Sequence, residues 1–511
     1  MKKVKYRSKL RLIFGRKLLI ATLILVQIVF LLVMLFRGAA LRWISLLLTA
    51  LSIATALHLM TRPDKSAFKL SLVFLILLFP LFGGVMYWVF HFQTASTGYR
   101  RILGRIERHQ RAEYQSLSTL SDPLPNCPRD QKLLSYLRNV AAFPVYQNTQ
   151  SKYFPTGKEL LNSMLEDMRH AEKYIFLEYF IIEEGLMWDS MLEVLRERAA
   201  HGVDVRVLYD DMGCLLTLPT GYQKTLRSMG IQCEVFNPFH PFLTSIQNNR
   251  DHRKITVIDG RIAYTGGINL ADEYINEKIR FGEWKDCAVR MQGAAAESFT
   301  TMFLQMWSLF SKAQDQLKEY LPPKDTSTLS DGWVQPYNDS PMDKENVGEL
   351  VYSHAIERSQ KTLYITTPYL MVGDEMISAL KYCAKSGVDV RIITPGKPDK
   401  PMVHFTTRSY YRELIAAGVK IYEYSKGFIH SKTVISDDDF CVVGTPNMDF
   451  RSLYLHFECG ACFYDSSVTQ EVKKDFFHTL EQCRQVTVAD CKTNFLVKTL
   501  QDVCRLFAPL M

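Results

Sequence analysis

Beyond its first seventeen residues, the sequence has no excess of charge of either sign. Met1–Lys17 contain eight of the 61 lysines and arginines and no acidic residue, so the other 53 basic residues balance all 53 acidic ones. Nucleic-acid binding calls for a basic surface on the folded body, and the neutral body argues against that partner. A basic tail followed by an apolar run is typical of a segment that lies against anionic lipid. We therefore predict residues 1–17 to be a basic cytoplasmic tail.

The sequence also lacks a regular cysteine pattern. Eleven cysteines are scattered between Cys127 and Cys504, and an odd number cannot all pair, which favours a reducing compartment. Cys459 and Cys462 have CxxC spacing and could form a redox pair or half a zinc site, but no second pair completes four ligands. We therefore interpret Phe457–Tyr464 as a buried strand and predict no metal and no cofactor.

Uncharged hydrophobic runs follow the tail. They are Leu18–Phe36, Trp43–Met60 and Leu70–Phe90. Each is long enough to cross about 30 Å of hydrocarbon as a helix. No small-residue cleavage site follows the first run, so we interpret it as retained. Pro80, Gly83 and Gly84 leave a kinked or re-entrant third segment as an alternative. Residues 18–91 are thus predicted to be a membrane region with two to three transmembrane helices.

The signals for membrane orientation disagree. The basic tail predicts a cytoplasmic amino terminus, and three full crossings would then place everything after residue 91 outside. Arg100, Arg101, Arg105 and Arg108, together with the unpaired cysteines, favour the cytoplasmic side instead. An incomplete crossing by one segment would satisfy both signals, so the side that the body faces stays open.

Residues 92–140 are polar and contain Pro123, Pro125 and Pro128, so we predict a linker there. The body follows as two halves, residues 141–325 and 326–511. Helical and apolar β-rich patterns alternate in the first half, which predicts parallel βαβ units under covering helices. These segments are a helix from Glu159 to about Ala171, a strand at Tyr174–Phe180, a helix at Met187–Ala200 and a strand at Val203–Tyr209.

The same order of segments returns later in the chain. Gly202–Val207 recurs as Gly387–Ile392, Met229–Ile231 as Ala417–Val419, and His252 as His430, at spacings of 185, 188 and 178 residues. Recurrences at nearly one period and in one order predict two copies of an α/β unit that share a site.

Each half carries His-x-Lys, then four residues and Asp, then six residues and Gly-x-x-Asn. The first copy consists of His252, Lys254, Asp259, Gly266 and Asn269, and the second of His430, Lys432, Asp437, Gly444 and Asn447. Residues i and i+2 share a face of a strand, so the imidazole and ammonium of each copy point into the same space. A lone His-x-Lys is usually part of a half-exposed strand, but the matched duplication favours catalysis by the His, Lys and Asp of both copies.

This set of side chains suits a phosphodiester. Two lysines, together with Asn269 and Asn447, can hold the non-bridging oxygens and supply positive charge in the transition state. One histidine can attack phosphorus to form a phosphohistidine, while the other protonates the leaving alkoxide and then deprotonates the incoming hydroxyl. Metal binding is a weaker alternative, because the lysine beside each histidine would repel a cation.

A nucleophilic imidazole needs a carboxylate on its other ring nitrogen to hold the correct tautomer. Asp286 and Glu458 lie on the strands that follow the first and second motif, and they are the candidates for their respective halves. Ordinary carboxylates at strand edges are the alternative interpretation.

The two His-x-Lys-x4-Asp motifs resemble those of the phospholipase D superfamily, and the flanking segments are similar to bacterial cardiolipin synthases. The similar segments are Phe236–Phe239, Asn249–Lys254, Tyr264–Asn269, Thr366–Tyr369, His430–Lys432, Gly444–Ser452 and Leu506–Leu510. The resemblance covers roughly residues 140–511. It implies an α/β fold of two tandem phospholipase D-like α/β/α sandwich halves that share one active site. The family often has Ser where Gly267 and Thr445 stand, and Gly267 cannot supply a hydroxyl.

The resemblance also implies a reaction of phospholipid biosynthesis. One phosphatidylglycerol donates its phosphatidyl group to the enzyme, glycerol leaves, and a second phosphatidylglycerol accepts the group to give cardiolipin. It implies His252 as nucleophile and His430 as acid and base, and it places the chain in the bacterial plasma membrane among anionic lipids. Protein partners and oligomeric state stay unknown.

Other functions remain compatible with the same motifs. A membrane-bound phospholipase D, or a phosphatidyltransferase that uses another alcohol, would share every motif, because no motif encodes acceptor access. A nuclease is disfavoured by the neutral body. An inactive lipid-binding protein is disfavoured by two intact motifs.

Overall fold

The computed structural model describes residues 42–79, 95–116, 127–239, 245–311, 317–322 and 331–511, together with Leu25, Ile28, Val29, Gly84, Tyr87, Trp88 and Pro125. From residue 131 onward these residues build two mixed sheets with covering helices.

The strands of the first half are β1 (Thr149–Phe154), β2 (Tyr174–Tyr179), β3 (Asp204–Asp210), β4 (Gln232–Phe236), β5 (Arg250–Asp251), β6 (Lys254–Ile258), β7 (Ile262–Gly266), β8 (Glu283–Lys285) and β9 (Ala288–Gly293). Seven of them form one sheet in the order β1-β9-β7-β6-β2-β3-β4. The neighbours β2, β3 and β4 are parallel, and the other pairs are antiparallel.

The strands of the second half are β10 (Trp333–Asp339), β11 (Thr362–Thr366), β12 (Leu370–Met371), β13 (Asp389–Pro395), β14 (Lys420–Tyr424), β15 (Gly427–Ile429), β16 (Thr433–Ser436), β17 (Phe440–Gly444), β18 (Met448–Asp449), β19 (His456–Tyr464) and β20 (Cys483–Val486). The main order is β10-β19-β17-β16-β11-β13-β14-β20. Its first seven positions repeat the first sheet strand for strand, so the predicted duplication is confirmed. Phe457–Tyr464, predicted to be a buried strand, lies within β19, which is buried along its length.

The helices are α1 (Arg42–Met60), α2 (Ser66–Leu78), α3 (Ala95–Ser116), α4 (Gln131–Tyr136), α5 (Gly157–Arg169), α6 (Leu186–Ala200), α7 (Tyr222–Ser228), α8 (Ala296–Trp307), α9 (Val347–Arg358), α10 (Asp374–Lys385), α11 (Pro401–Ala416), α12 (Phe450–Leu455), α13 (Ser467–Leu480) and α14 (Phe495–Leu506). Side-chain caps explain the starts of α5, α12, α13 and α14. The hydroxyl of Thr156 accepts the backbone N–H of Glu159 and donates to its carboxylate, so Thr156 is the N-cap of α5.

The alternation predicted for the first half is present as β2, α6 and β3, but the sheet is parallel only in part. The turn between β6 and β7 explains the difference, because Asp259 and Gly260 there adopt positive φ angles. A turn this short can join antiparallel neighbours, whereas a parallel pair needs a long crossover.

The two halves are joined by a shared core and by exchanged strands. One buried apolar cluster contains residues of both sheets, including Val257 and Val443. The short strand β5 pairs with the start of β19, and β15 pairs with β8, both in parallel. In each case the segment just before one half's His-x-Lys adds to a strand of the other half.

Residues 92–140, predicted as a linker, contain α3, whose Leu103 and Ile106 are buried. The prolines that suggested a linker all follow this helix. The run Trp43–Met60 lies within α1, and the run Leu70–Phe90 is described as α2 up to Leu78. Apart from Leu25, Ile28 and Val29, the run Leu18–Phe36 lies outside the described residues. No helix in the described segments combines the length and apolar character that a membrane span requires.

Candidate active site

The exchanged strands β5 and β15 position the two histidines. His252 follows β5 and its backbone N–H donates to Phe457 O at 3.0 Å, while the N–H of His430 donates to Lys285 O at 2.7 Å. Phe457 and Lys285 directly precede Glu458 and Asp286. Each histidine is therefore brought against the candidate carboxylate of the opposite half.

The side-chain contacts follow this exchange. His252 Nδ1 lies 2.9 Å and 3.0 Å from the two oxygens of Glu458, and His430 Nδ1 lies 2.7 Å from Asp286 Oδ2. We expected each carboxylate to serve the histidine of its own half, and the structure pairs them across the halves instead. The reason is that the main chain before each histidine joins the partner half's sheet.

Both imidazoles have the tautomer that a nucleophile needs. A carboxylate only accepts hydrogen bonds, so Nδ1 carries the proton in each ring and Nε2 keeps its lone pair. Burial, followed by the charges of Lys254 and Lys432, holds the pKa of His252 well below its usual range. Burial lowers the pKa of His430 to about 4. Without an anion both rings are neutral at physiological pH.

The two lysines lie beside both histidines. Lys254 Nζ donates to His252 O at 2.5 Å, and Lys432 Nζ donates to His430 O. Burial lowers the pKa of Lys254 to about 8 and that of Lys432 to about 7. Burial opposes ionisation of Asp286, but the charge of Lys432 and the hydrogen bond from His430 outweigh it and lower the pKa of this carboxyl. The charges of one half thus act on the groups of the other, as in a single shared site.

The predicted phosphate-binding asparagines occupy equivalent positions. Asn269 Nδ2 donates to Tyr274 OH at 2.7 Å, and its Oδ1 accepts the N–H of Ile181. Asn447 Nδ2 donates to Ser452 Oγ at 3.1 Å. The ring of Tyr274 lies 5.7 Å from that of His430, which links Asn269 to the histidine of the other half.

The motif aspartates lie away from the histidines, although the motif groups them with the catalytic residues. Asp259 follows β6 and accepts three backbone N–H groups, each at 2.8 Å, from residues 172–174 at the start of β2. Lys254 pairs instead with Tyr179 at the end of β2, so Asp259 is roughly 20 Å from His252 along the strand. Asp437 likewise accepts N–H groups at the start of β11 and an ion pair from Arg129. Both aspartates therefore hold the backbone of a neighbouring strand.

Gly267 and Thr445 lie at equivalent positions of the two halves, and each one contacts or makes room for the carboxylate of its own half. The Thr445 hydroxyl donates to Glu458 Oε2 at 2.5 Å and accepts the N–H of Cys459. A Cβ at Gly267 would lie 2.1 Å from Asp286 Oδ1. Glycine thus leaves room for Asp286, and the threonine hydroxyl supports Glu458.

Sequence reasoning missed His456 as a site residue. Its ring lies 5.3 Å from that of His252, and among the described residues neither buried ring nitrogen has a hydrogen-bond partner, although Nδ1 lies 3.7 Å from Glu458 Oε1. His456, His252 and Glu458 offer ligand atoms within 4.8 Å of one another, which is close enough for a metal ion, although Lys254 and Lys432 would oppose a cation. The signal available in the sequence was a histidine two residues before Glu458.

The opposite side of the site is aromatic. Trp284 occupies the place in the first half that His456 occupies in the second, and its ring lies 5.5 Å from that of His430. The two histidines are therefore chemically distinct despite the duplicated scaffold.

A family model described as "Cardiolipin synthase, PLD-like domain" matches residues 164–307 and 352–480, one segment in each half. An uncharacterized protein of Streptococcus mutans is 42% identical over 90% of this chain and 100% of its own length. A cardiolipin synthase of Alkalihalophilus pseudofirmus is 36% identical over 75% of this chain and 76% of its own length.

Among solved structures, a phosphatidylserine synthase of Haemophilus influenzae matches with a TM-score of 0.55 at 16% identity. The match covers 76% of this chain and 100% of that one. At this identity the likeness concerns the fold alone.

Proposed function

This chain belongs to the cardiolipin synthase family with phospholipase D-like domains, and from that premise we propose that it transfers a phosphatidyl group between two molecules of phosphatidylglycerol. The products are cardiolipin and glycerol. The observation that carries the proposal is the pair of carboxylate-held, neutral imidazoles contributed by the two halves to one lysine-rich site.

In the first step, Nε2 of one histidine attacks phosphorus and an N–P bond forms. The P–O bond to the glycerol headgroup breaks, and the departing oxygen takes a proton from the other imidazole. That imidazole gains its proton when the anionic phosphodiester binds beside it, because negative charge favours the imidazolium. By family analogy we assign His252 as the nucleophile and His430 as the acid.

In the second step, the second phosphatidylglycerol occupies the place that glycerol has left. Neutral His430 removes the proton from its hydroxyl, the hydroxyl oxygen attacks phosphorus, and the P–N bond breaks. His252 is thereby regenerated. Glu458 and Asp286 keep each ring oriented through both steps and stabilise positive charge on it.

Lys254 and Lys432 stabilise the non-bridging oxygens of the phosphodiester. Their ammonium charges are buried, so they act at short range with little screening by water. Asn269 and Asn447 are proposed to add N–H donors, since each amide nitrogen has two hydrogens and one bonds a neighbouring hydroxyl.

We place the chain in the bacterial plasma membrane as a multi-pass protein, with residues 18–91 as the membrane region. The support is the basic tail Met1–Lys17, the uncharged run Leu18–Phe36, and the exposed apolar side chains of α1 and α2, such as Leu47 and Leu70. A substrate with two acyl chains stays in a bilayer, so membrane attachment suits this chemistry.

The test is a product assay with purified protein and phosphatidylglycerol as the sole lipid, without added metal. We expect cardiolipin and free glycerol in equal amounts. Phosphatidic acid as the main product would contradict transfer to a lipid acceptor and indicate a hydrolase.

A further inference from the structure

Helix α14 packs against α11 through the side that carries Cys504 and Arg505. Arg505 forms an ion pair with Glu413 at 2.5 Å, and its guanidinium lies 4.2 Å from the centre of the Tyr410 ring. Cys504 is buried on the same side. The attachment fixes which face of the helix points outward.

The outward face of α14 is apolar. Phe495 is 85% exposed, Leu496 76%, Leu500 54% and Val503 41%. Residues spaced by three and four lie on one face of a helix, so these side chains form a continuous stripe. Exposed apolar patches of this kind mark an interaction surface.

This stripe adjoins the apolar surface of the N-terminal helices. Ser71 of α2 donates to Leu506 O at 2.5 Å, and the rings of Phe74 and Phe507 lie 5.7 Å apart. Leu70 and Leu77 of α2 are also more than half exposed. The exposed side chains of α2 and α14 therefore meet at one edge of the molecule.

A cavity of about 410 Å³ lies behind the stripe, between α11 and α14. Arg412 and Lys498 line it, and in the described part of the chain neither forms an ion pair. Of the two acids on its lining, Asp490 is paired with Arg484 at 2.6 Å and Asp502 is exposed at the rim. The cavity thus offers two free cations next to an apolar helix face.

The cavity is joined to the candidate active site through the start of α11. Helix α11 begins at Pro401, directly after Lys400, and Pro398 and Pro401 form one end of the cavity. Lys400 Nζ lies 5.1 Å from the centre of the Tyr369 ring, and its charge contributes to the low pKa of His252. A surface that contacts α14 therefore lies next to the segment that carries Lys400.

We propose that the α11–α14 cavity and the outward face of α14 form a second lipid site, which docks the body onto an anionic bilayer. The phosphate of an anionic phospholipid lies between Arg412 and Lys498, and Phe495, Leu496, Leu500 and Val503 lie among the acyl chains. The site rests on the proposed function, because it holds the body, and with it the active site, against the bilayer that contains the substrate.

The first test measures insertion and does not depend on activity. Full-length Leu500→Trp protein is reconstituted in vesicles of equal parts phosphatidylcholine and phosphatidylglycerol with brominated acyl chains. We expect quenching of the added tryptophan, measured as the difference from the wild-type protein. Lys224→Trp, at an exposed position of α7 outside the proposed site, is the control and should be quenched much less. Equal quenching at the two positions, or none at Leu500→Trp, would overturn the proposal.

The second test separates docking from chemistry. Arg412→Glu with Lys498→Glu should raise the apparent KM for phosphatidylglycerol vesicles by at least about tenfold, since each cation near an anionic surface contributes about 1 kcal/mol. The rate in detergent micelles should stay within about twofold. Lys224→Glu, on an exposed position of α7, is the charge control. Equal losses of activity in vesicles and in micelles would mean that Arg412 and Lys498 have a merely structural role, and would contradict the proposal.

A second copy of the chain is the other occupant that could cover the stripe. If Leu496→Asp with Leu500→Asp changes the oligomeric state in detergent but leaves the vesicle KM unchanged, the surface is a protein interface and the lipid site is excluded. A wild-type protein that makes no cardiolipin would refute the proposed function alone, because tryptophan quenching would still report docking.

Discussion

At the scale of single residues, each histidine depends on a carboxylate from the opposite half. Glu458 contacts both the imidazole of His252 and the hydroxyl of Thr445, so its position is fixed from two sides. Asp286 bonds His430 and accepts the N–H of Cys287. Neither carboxylate is available to solvent, so its charge acts on its imidazole with little screening.

Glu458→Gln should therefore impair His252 although the two residues belong to different halves. We expect kcat to fall by about 10²- to 10⁴-fold, because the amide no longer holds the tautomer or stabilises positive charge on the ring. Glu481→Gln on the surface is the control. Combining Glu458→Gln with His252→Ala should cost little more than His252→Ala alone, and fully multiplicative losses would refute the pairing.

Asp259→Asn is expected to affect stability more than catalysis. Asp259 holds three backbone N–H groups at the start of β2, and losing charged acceptors costs about 1 to 3 kcal/mol in the free energy of unfolding. Asparagine tolerates the positive φ angle at this position, so the turn itself should persist. Thermal unfolding should shift downward while kcat stays within a few-fold of wild type. A hundredfold lower kcat in folded protein would instead place Asp259 in the chemistry.

The buried lysines predict a pH dependence. Burial lowers the pKa of Lys432 to about 7 and that of Lys254 to about 8, so the free enzyme loses both ammonium charges as the pH rises through this range. We expect kcat/KM to fall between pH 7 and 9 for this reason. Lys432→Arg should move the fall to higher pH, since arginine stays charged. A flat profile of kcat/KM up to pH 9.5 would contradict this prediction.

From the sequence, the residues of the active site could be predicted, but the contacts between them could not. Asp286 and Glu458 follow their motifs, but the exchange of partners depends on β5 and β15, which are too short to be recognised from periodicity. Asp259 and Asp437 are repeated in both halves just as the histidines are. A duplicated sequence keeps the residues that stabilise a turn as well as those that form an active site, so repetition alone does not distinguish the two roles. The first half has Trp284 in place of a histidine at the position of His456, so the repeat could not reveal it.

At the scale of elements, the exchanged strands are what make one site from two halves. Strand β15 lies so close to β8 that a Cβ at Gly427 would sit 2.0 Å from Glu283 O. Because of this close pairing, the main chain from Gly427 to His430 runs beside Lys285, and the side chain of His430 contacts Asp286.

Gly427→Ala should push β15 away from β8 and displace His430 from Asp286. We expect at least about a tenfold loss in kcat together with a lower unfolding temperature, because overpacking against backbone costs about 1 to 3 kcal/mol. Gly104→Ala in α3, where a Cβ meets no atom of the described residues within 4 Å, is the control. Wild-type kcat in Gly427→Ala would argue that the strand exchange does not position the site.

Element type was predictable where the periodic pattern was long, as in α6 and β19. The relative direction of the strands was not predictable, because β6 and β7 are apolar runs whose antiparallel pairing depends on a three-residue turn at Asp259. The prolines of residues 92–140 do not predict helix α3, because Pro123, Pro125 and Pro128 all lie beyond its end at Ser116.

At the scale of the whole molecule, duplication supplies a symmetric scaffold on which the two sides differ. His252 has His456 beside it, whereas His430 has Trp284, so the two imidazoles can take the unlike roles that a two-step transfer requires. The shared core and the exchanged strands hold the two halves together. Each catalytic histidine and its carboxylate partner come from different halves, so neither half has a complete pair by itself.

The most direct measurement of the central claim is the stereochemical course at phosphorus. Phosphatidylglycerol made chiral at phosphorus with one sulfur atom is converted by the wild-type protein, and the configuration of the product is determined. Two successive in-line displacements, first by histidine and then by the second lipid's hydroxyl, predict overall retention of configuration. Inversion would mean that the acceptor attacks the phosphodiester directly, and it would contradict a phosphohistidine formed between the two halves.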